Sequence, residues 1–341
     1  MREISERAGV SHATVSMALR NDPRISAATR RRIEKLAMAM GYQRDPRISE
    51  LMQHLRRGKQ ETLRGVLAYL DFRTESLPVN SSLNIEIEAA KNQTDELGYD
   101  MQVIYPRLNG LTDRRLDTML ESRGIRGILV GASPTPQSRL DLSWDRLAGV
   151  MMGHSLAHPL LDRITTHFFH AVSTAYTRLR ELGLRRIGLV ITEWHDLRTD
   201  RQIHAGFLIN QQIGSRRCRV PVLTCPGRTV DKSALLSWAR DHRPDGILLG
   251  SSSSLPVRWL RAAGIRIPAD MSVAILDLKS SDGRFSGILQ DPAVRARRGA
   301  EYLTMKLEAN EFGIPLQSSI IQIEMGWIDG ATTSHPPVRA R

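Results

Sequence analysis

Cysteine and long apolar segments are scarce in this chain, and each shortage argues against a class of protein. The two cysteines, Cys218 and Cys225, have no third cysteine with which to complete a zinc site, and their spacing is not that of a redox motif. No stretch reaches the roughly 18 consecutive apolar residues of a membrane-spanning helix, and the N-terminus lacks an apolar signal segment. We therefore expect reduced thiols in a cytoplasmic protein.

Catalytic signatures are also missing. The sequence contains no glycine-rich phosphate-binding loop, no recognised metal-binding histidine motif and no nucleophile elbow. His167 and His170 lie one helical turn apart, but no third metal ligand accompanies them. Trp194-His-Asp196 fits a loop that lines a cleft better than it fits a catalytic group. We therefore predict that the chain is not an enzyme and that it carries no metal and no cofactor.

Positive charge is what the chain has in excess, and it is concentrated at one end. The formal net charge is +12, and residues 1–60 carry 13 Lys and Arg against 6 Asp and Glu. The rest of the chain is much closer to balance, with 35 basic and 30 acidic residues. Such a basic segment indicates an anionic partner, most commonly nucleic acid. Charge alone leaves open a protein that is merely basic and soluble.

The length of the chain bounds the number of domains. A length of 341 residues predicts two or three domains.

The basic N-terminal segment carries the pattern of three short helices. Ile4 and Ala8 lie on one face of the first helix, and Gly9 can adopt the left-handed conformation that ends a helix in a tight turn. Ser11 and Ser26 can cap the second and third helices through their hydroxyl groups. The predicted buried positions of these two helices are Val15, Ala18, Leu19, Ile33, Leu36, Ala37 and Met40. Two short helices joined by a glycine-containing turn are typical of a helix-turn-helix.

Four short sequence motifs occur together in this segment. They are Ala8-Gly-Val-Ser-His-Ala-Thr-Val-Ser16, Asn21-Asp-Pro-Arg-Ile-Ser26, Thr29-Arg30 and Gly41-Tyr42. Together they resemble the LacI/GalR family of lactose-repressor-like transcriptional regulators, closely at the N-terminus and more loosely over nearly all the rest. The resemblance implies an N-terminal all-α helix-turn-helix DNA-binding domain. It also implies a two-lobed effector domain with the fold of periplasmic binding proteins.

The resemblance further implies which residues contact DNA. The second helix enters the major groove, where His12 and Ala13 take the two main base-reading positions and Met17 takes a third. A phosphate contact or no contact is the alternative for His12. The other members of the implied DNA-binding set, most of which match phosphate-contacting positions, are Thr14, Ser16, Asn21, Ser26, Thr29 and Tyr42. Phosphate contacts position the helix but carry no sequence information.

A candidate hinge follows the three helices. Residues 45–58 form a helical pattern after a proline-bearing entry, and Leu51 falls on the family's hinge leucine. The resemblance implies that Leu51 wedges into the minor groove at the operator centre and kinks the DNA. The alternative is that Leu51, Met52 and Leu55 only pack one hinge helix against another.

The remainder of the chain alternates between apolar runs and helical patterns. The first block has runs near 65–70, 101–105, 127–130 and 149–152 and helical patterns near 83–97, 112–123 and 136–146, and a second block repeats the alternation from 168 to 276. This order predicts an α/β fold of doubly wound parallel sheets with helices on both faces. We expect a helix-turn-helix domain at 1–44, a hinge or linker at 45–60 and an effector-binding and dimerisation domain at 61–341, with lobe 1 at about 61–154 and 284–317 and lobe 2 at about 155–283 and 318–335.

Such lobes bind ligands in the crevice outside the strand ends. Asp277 matches the family's aspartate that holds ligand hydroxyl groups, although an aspartate that only caps a turn is the alternative. Arg201, Trp194 and Asp71 complete the predicted effector site. The family's usual effector-binding arginine is replaced by Ile203. Such departures weaken the assignment of a simple sugar, so a sugar, a sugar derivative, another small molecule and no tight ligand all stay open.

These features predict a sequence-specific DNA-binding transcriptional regulator, expected to be a repressor. Two chains pair as a homodimer so that two reading helices contact a near-palindromic operator in the bacterial nucleoid. A small molecule between the lobes modulates operator affinity. The alternatives are a two-lobed binding protein or enzyme with an accessory basic N-terminus, and an effector-independent DNA binder.

Overall fold

The structure is a computed structural model that describes residues 5, 7–10, 14, 15, 18, 25–39, 64–78, 81–251 and 253–333. The chain divides into two compact units, Met1–Thr62 and Leu63–Arg341. The predicted hinge helix and Leu51 lie outside the described residues, as do the positions predicted to be buried at Ile4, Leu19 and Met40.

The N-terminal unit has a small apolar core made from the predicted helical faces. Its buried members are Ala8, Val15, Ala18, Ile33 and Ala37. Gly9 adopts a φ of +62°, and the Val10 N–H donates to the Ser5 carbonyl at 3.2 Å, so the first helix ends in the predicted left-handed turn. The helix Ala27–Ala39 (α1) packs onto this core, and its Arg32 side chain donates to the Ala8 carbonyl at 2.8 Å.

The second unit alternates strands and helices along the chain. Its strands are β1 (Gly65–Leu70), β2 (Tyr99–Ile104), β3 (Gly127–Val130), β4 (Ser138–Arg139), β5 (Ala148–Met152), β6 (Leu156–His158), β7 (Asp162–Thr166), β8 (Ile187–Thr192), β9 (Leu223–Cys225), β10 (Gly246–Leu249), β11 (Ser272–Leu278), β12 (Ser286–Leu289), β13 (Ile320–Ile323) and β14 (Gly326–Ile328). Its helices are α2 (Ser82–Glu96), α3 (Asp113–Ser122), α4 (Phe168–Glu181), α5 (Glu193–Arg198), α6 (Gln202–Ile213), α7 (Lys232–His242), α8 (Leu255–Ala262) and α9 (Pro292–Glu308).

The described residues of this unit build two six-stranded sheets, one for each lobe. The first has the order β13-β7-β5-β3-β1-β2 and is parallel throughout. The second has the order β14-β12-β11-β10-β8-β9, and only β14 is antiparallel among its described pairings. Each sheet has an apolar cluster on both faces, which explains why β3 and β10 are buried at every position. The predicted fold class is confirmed.

One predicted helix is wrong. Residues 136–146 contain β4 and a short 3₁₀ turn, Trp144–Arg146, instead of an α-helix. The buried side chains Leu140, Trp144 and Leu147 have helical spacing, which misled the sequence interpretation. The backbone bonds to a neighbouring segment instead, because the N–H groups of Ser138 and Leu140 donate to the carbonyls of Ser155 and His158.

The predicted lobe bounds also need correction. β7 pairs with β5 in the first sheet, so the chain first crosses to the second lobe after Thr166 instead of near residue 154. β12 lies in the second sheet, whereas β13 lies in the first, the reverse of the predicted assignment. Buried polar contacts fix this arrangement, since Asp162 at the start of β7 binds Lys306 of α9 and the backbone of Ser319. None of the described helices is long and apolar enough to cross a membrane.

Candidate ligand-binding cleft

A cleft of about 390 Å³ lies between the two lobes of the second unit. Its wall is built from the carboxyl ends of parallel strands in both sheets: Ala132 follows β3, His154 follows β5, Thr192 ends β8 and Ser251 follows β10. This is the location that doubly wound sheets favour for a ligand, and the volume is within the range of small-molecule sites.

Two of the four predicted effector residues line this cleft. Asp277 does so from the end of β11, and Trp194 does so from the first turn of α5. The helix that carries Trp194 begins at the strand end because the Thr192 hydroxyl accepts the His195 N–H at 3.2 Å.

The other two do not line the cleft, and their predicted role is corrected. Arg201 occupies the turn between α5 and α6 with a φ of +55°, and it borders a different surface depression beside Asp196 and His204. Asp71 is 1% exposed, and its carboxylate binds the backbone and the guanidinium of Arg73. Asp71 therefore shapes the loop after β1, since its oxygens are directed at that loop.

Trp194 joins the second lobe to the first. Its indole Nε1 donates to the carbonyl of Pro134, in the loop after β3, at 2.7 Å. The guanidinium carbons of Arg198 and Arg228 lie 4.5 and 5.4 Å from the centroid of the Trp194 ring. Both arginines also reach the same loop, since Arg198 donates to the Ser133 carbonyl and Arg228 donates to the Pro134 carbonyl.

A buried charged network forms the opposite wall. Glu86 of α2 is 2% exposed and accepts from the Tyr69 hydroxyl and from Arg295 of α9. Burial raises the pKa of Tyr69 well above its usual value, and the Glu86 carboxylate raises it further. Burial acts to lower the pKa of Arg295, but Glu86 outweighs that effect, so the pKa of Arg295 is raised. The tyrosine therefore stays neutral and the arginine stays charged.

Two further cleft groups are strongly affected by burial. Burial lowers the pKa of Arg198 to about 10, and the nearby positive charge of Arg295 and Arg228 contributes to the decrease. Burial lowers the pKa of His195 to about 4, with a further contribution from Arg198. His195 is therefore uncharged near neutral pH.

A second contact joins the lobes farther along the cleft. His154 of the first lobe faces Gln202 of α6, with 3.4 Å between His154 Nε2 and Gln202 Nε2. Burial is the main cause that lowers the pKa of His154, and Arg163 of β7 adds to it. His154 therefore meets Gln202 in its neutral form near pH 7.

The sequence interpretation missed Arg198, Arg228, Glu86 and Arg295. Arg198 lies one helical turn after Trp194, so a predicted helix starting at Thr192 would have indicated it. The other three are far apart in the chain and meet only in the folded unit.

His167 and His170 both contact Glu324, at 2.8 and 3.5 Å. His167 precedes the cleft-lining residue Phe168 but does not itself line the cleft.

Three predicted DNA-contacting residues lie among the described positions. Ser26 is exposed and caps α1, because its hydroxyl accepts the Thr29 N–H at 3.2 Å. Thr29 is partly exposed and its hydroxyl lies 2.9 Å from that of Ser26, and Thr14 is helical and partly exposed. The remaining predicted contacts, which are His12, Ala13, Ser16, Met17, Asn21, Tyr42 and Leu51, lie outside the described residues.

Sequence comparison matches two parts of the chain to family models. The family described as bacterial regulatory proteins, lacI family, matches residues 1–45, and the periplasmic binding protein-like domain matches residues 176–333. The HTH-type transcriptional regulator reg1 of Streptomyces lividans is 26% identical over 296 residues, which cover 81% of this chain and 80% of that protein.

Comparison with solved structures gives the same fold. A transcriptional regulator CelR–cellobiose complex has a TM-score of 0.61 and 18% identity, covering 96% of this chain and 98% of the other. The lac repressor dimer bound to operator and the anti-inducer ONPF has a TM-score of 0.58 and 16% identity, covering 97% of each chain.

Proposed function

We propose that the chain is a member of the lacI family of bacterial regulatory proteins, whose model matches residues 1–45, and that it is a repressor whose cleft ligand sets its affinity for operator DNA. It is a helix-turn-helix transcriptional regulator, as are the curated relatives that it resembles over about four-fifths of its length. Because these relatives are regulators and the cleft offers binding groups, we assign it no enzymatic activity and place it in the cytoplasm, associated with the nucleoid.

The N-terminal unit supplies the contacts to DNA. The core of Ala8, Val15, Ala18, Ile33 and Ala37 supports the first three helices, and the basic charge of this region suits the phosphate backbone. We assign base reading to His12, Ala13 and Met17 and phosphate or supporting contacts to Thr14, Ser16, Asn21, Ser26, Thr29 and Tyr42. Leu51 is assigned to the operator centre as a minor-groove wedge.

A homodimer presents two such units to a near-palindromic operator. Exposed apolar side chains on two helices of the second unit support this pairing. Ile85 lies on α2 and is 40% exposed, and Ile213 at the end of α6 is 84% exposed, next to the exposed Leu208 and Ile209. Burying them against a second copy removes apolar surface from water.

The cleft couples ligand binding to the arrangement of the lobes. The single observation that carries this proposal is that groups from both lobes line one cavity and meet across it, as Trp194 and Pro134 do. A ligand that prefers one arrangement shifts the equilibrium by its difference in affinity for the two states. The linking segment at 45–60 transmits that shift to the DNA-binding unit. Asp277 lines the cavity from the end of β11, and we assign it to ligand hydroxyl groups.

Selection of bound sequences from a random DNA pool tests the regulator assignment. We expect enrichment of a near-palindrome with two half-sites, and binding that weakens steeply as salt rises. His12→Ala should lower affinity for the selected site by about 1–3 kcal/mol, the scale of one base contact. Arg240→Gln, on the exposed surface of the second lobe, is the matched control and should bind normally. The absence of any enriched sequence at low and high salt would overturn the assignment.

A further inference from the structure

The cleft contains more positive than negative charge. Its basic side chains, apart from the two histidines, are Arg198, Arg228, Lys279 and Arg295, and its acidic side chains are Glu86 and Asp277. Because His195 and His154 have lowered pKa values, they add little charge at neutral pH. The difference is therefore two positive charges in one cavity.

The pairing inside the cavity shows which cations are left over. Glu86 is bound by Arg295 and Tyr69 on the first-lobe wall, and its charge offsets only part of the unfavourable burial of Arg198. The ion pairs found between described residues do not include Arg198, Arg228 or Lys279. Arg198 and Arg228 instead each donate to a backbone carbonyl and stack on Trp194.

We propose that the cleft ligand is a small oxyanion, a carboxylate or phosphate ester, held by Arg198 and Arg228 with Lys279 at the cavity rim. This inference rests on the proposed function, because it names the chemical class of the effector. Each guanidinium carries five N–H donors, and only one hydrogen bond from each is made to the described residues. Several donors remain for an anion, and a planar guanidinium fork binds carboxylate and phosphate oxygens in pairs.

Burial makes the interaction of an anion with Arg198 stronger than it would be on the surface. Burial and the nearby cations Arg295 and Arg228 destabilise the charged form of Arg198, and Glu86 opposes this only in part, so the pKa of Arg198 falls to about 10. A neutral polyol leaves that cost in place. An anion offsets it, and the attraction is stronger in a cavity than in water because the effective dielectric constant is lower.

The same charges link the anion to lobe closure. Arg198 and Arg228 belong to the second lobe and Arg295 belongs to the first, so closing the lobes brings like charges together, and Glu86 offsets this repulsion only in part. An oxyanion between them replaces that repulsion with attraction and favours the closed arrangement. Because of its charge, the effector therefore binds the closed arrangement of the lobes more tightly than the open one.

Calorimetric titration of the full-length protein with inorganic phosphate and with citrate, at constant ionic strength, tests the inference. We expect both anions to bind, while neutral glucose binds more weakly than either. Arg198→Gln should weaken anion binding by about tenfold or more, the scale of a charge-assisted hydrogen bond. Arg198→Lys keeps the charge and should lose less. Arg240→Gln removes one positive charge from the exposed surface of the same lobe and should leave binding unchanged.

The outcomes separate the inference from the proposed function. Equal anion affinity in Arg198→Gln and Arg240→Gln, or the absence of phosphate and citrate binding, overturns the oxyanion site. A neutral saccharide that binds and changes operator affinity while the anions do not bind would retain the proposed function and overturn the inference.

Lys279 is exposed, so Lys279→Gln provides a second variant if Arg198→Gln fails to fold. This variant should weaken phosphate binding a few-fold. Glucose 6-phosphate compared with gluconate then shows whether a phosphate or a carboxylate source acts on operator binding.

Discussion

Trp194 donates its indole N–H to the Pro134 carbonyl across the cleft, at 2.7 Å. The two residues belong to different lobes, and the loop of Pro134 also accepts hydrogen bonds from Arg198 and Arg228. The ring that positions both guanidinium groups is therefore also the ring that joins the lobes. Ligand binding at these arginines and lobe closure share the same side chain.

Trp194→Phe should weaken the joined arrangement. Phenylalanine keeps an aromatic ring for the arginines but has no N–H to donate, and one hydrogen bond contributes about 1 kcal/mol. This corresponds to a roughly fivefold decrease in the ratio of the joined to the open state. We expect faster amide hydrogen exchange in residues 131–137, measured by mass spectrometry, because their protection depends on local opening.

Trp327→Phe is the matched control for this substitution. Trp327 Nε1 donates to Asp329 within the second lobe, also at 2.7 Å. Its loss removes an indole hydrogen bond, here to a carboxylate, without touching the cleft, so exchange in 131–137 should stay unchanged. Equal acceleration in both variants would show that the Trp194 bond does not hold the lobes.

Acid should destabilise the protein through His195. Its pKa is about 4 in the folded state, against 6.5 for an exposed histidine, so the unfolded chain binds more protons between these values. The stability it contributes is complete above pH 6.5 and is lost as pH falls toward 4. Between pH 7 and 5.5 we expect a loss of about 1 kcal/mol in the free energy of unfolding, measured by urea denaturation.

His195→Gln should reduce that pH dependence, because glutamine does not titrate, and the part that remains includes His154, whose pKa burial also lowers. His158→Gln removes an exposed histidine and should leave the dependence as it is in the wild type. If His195→Gln loses as much stability as the wild type over this range, another group is responsible.

The parts of the fold that the sequence predicted best are those with unambiguous burial. β3 and β10 are predictable because every side chain in them is buried, so each run is continuously apolar. Gly9 was assigned correctly because a positive φ suits few other residues. The false helix at 136–146 arose because Leu140 and Trp144 have helical spacing, while the hydrogen-bond partners that make β4 lie in another segment.

The site was predictable only in part, for the same reason. Asp277 and Trp194 follow or end strands, and a strand end can be located from the sequence. Arg228 and Arg295 come from distant segments, and nothing in their neighbours along the chain indicates that they share a cavity. Arg201 lies two residues before Ile203, which replaces the family's arginine, but the left-handed turn at Arg201 places it in a different depression.

The buried pair of Asp162 and Lys306 should be strongly coupled. Both side chains are at most 5% exposed and 2.5 Å apart, and Asp162 also accepts the Ser319 N–H. Lys306→Met leaves the carboxylate buried with only a neutral donor, so we expect a loss of about 3–5 kcal/mol in the free energy of unfolding. The double variant Asp162→Asn, Lys306→Met should recover much of that loss in urea denaturation.

An exposed ion pair between the same helix and Arg64 provides the comparison for Lys306. Glu308 of α9 pairs with Arg64, and their side chains are 57% and 48% exposed. Glu308→Gln should cost less than about 1 kcal/mol, as solvated ion pairs contribute little. Similar costs for Glu308→Gln and Lys306→Met would contradict the view that burial makes the inner pair important.

Ser26 should separate stability from DNA binding. Its hydroxyl caps α1 through the Thr29 N–H, so Ser26→Ala should lower the stability of the N-terminal unit by about 1 kcal/mol. Ser26→Asp retains a capping oxygen and adds a negative charge that a helix N-terminus favours, so thermal denaturation should show a stability equal to or above the wild type. If Ser26 lies against the operator phosphates as we propose, the new carboxylate repels them, and fluorescence anisotropy should show weaker operator binding in spite of the more stable fold.

Ser81→Asp is the control for this substitution. It adds the same charge at the cap of α2, in the second unit, and should bind operator normally. Normal operator affinity for Ser26→Asp would remove Ser26 from the phosphate-contacting set, while leaving its capping role intact.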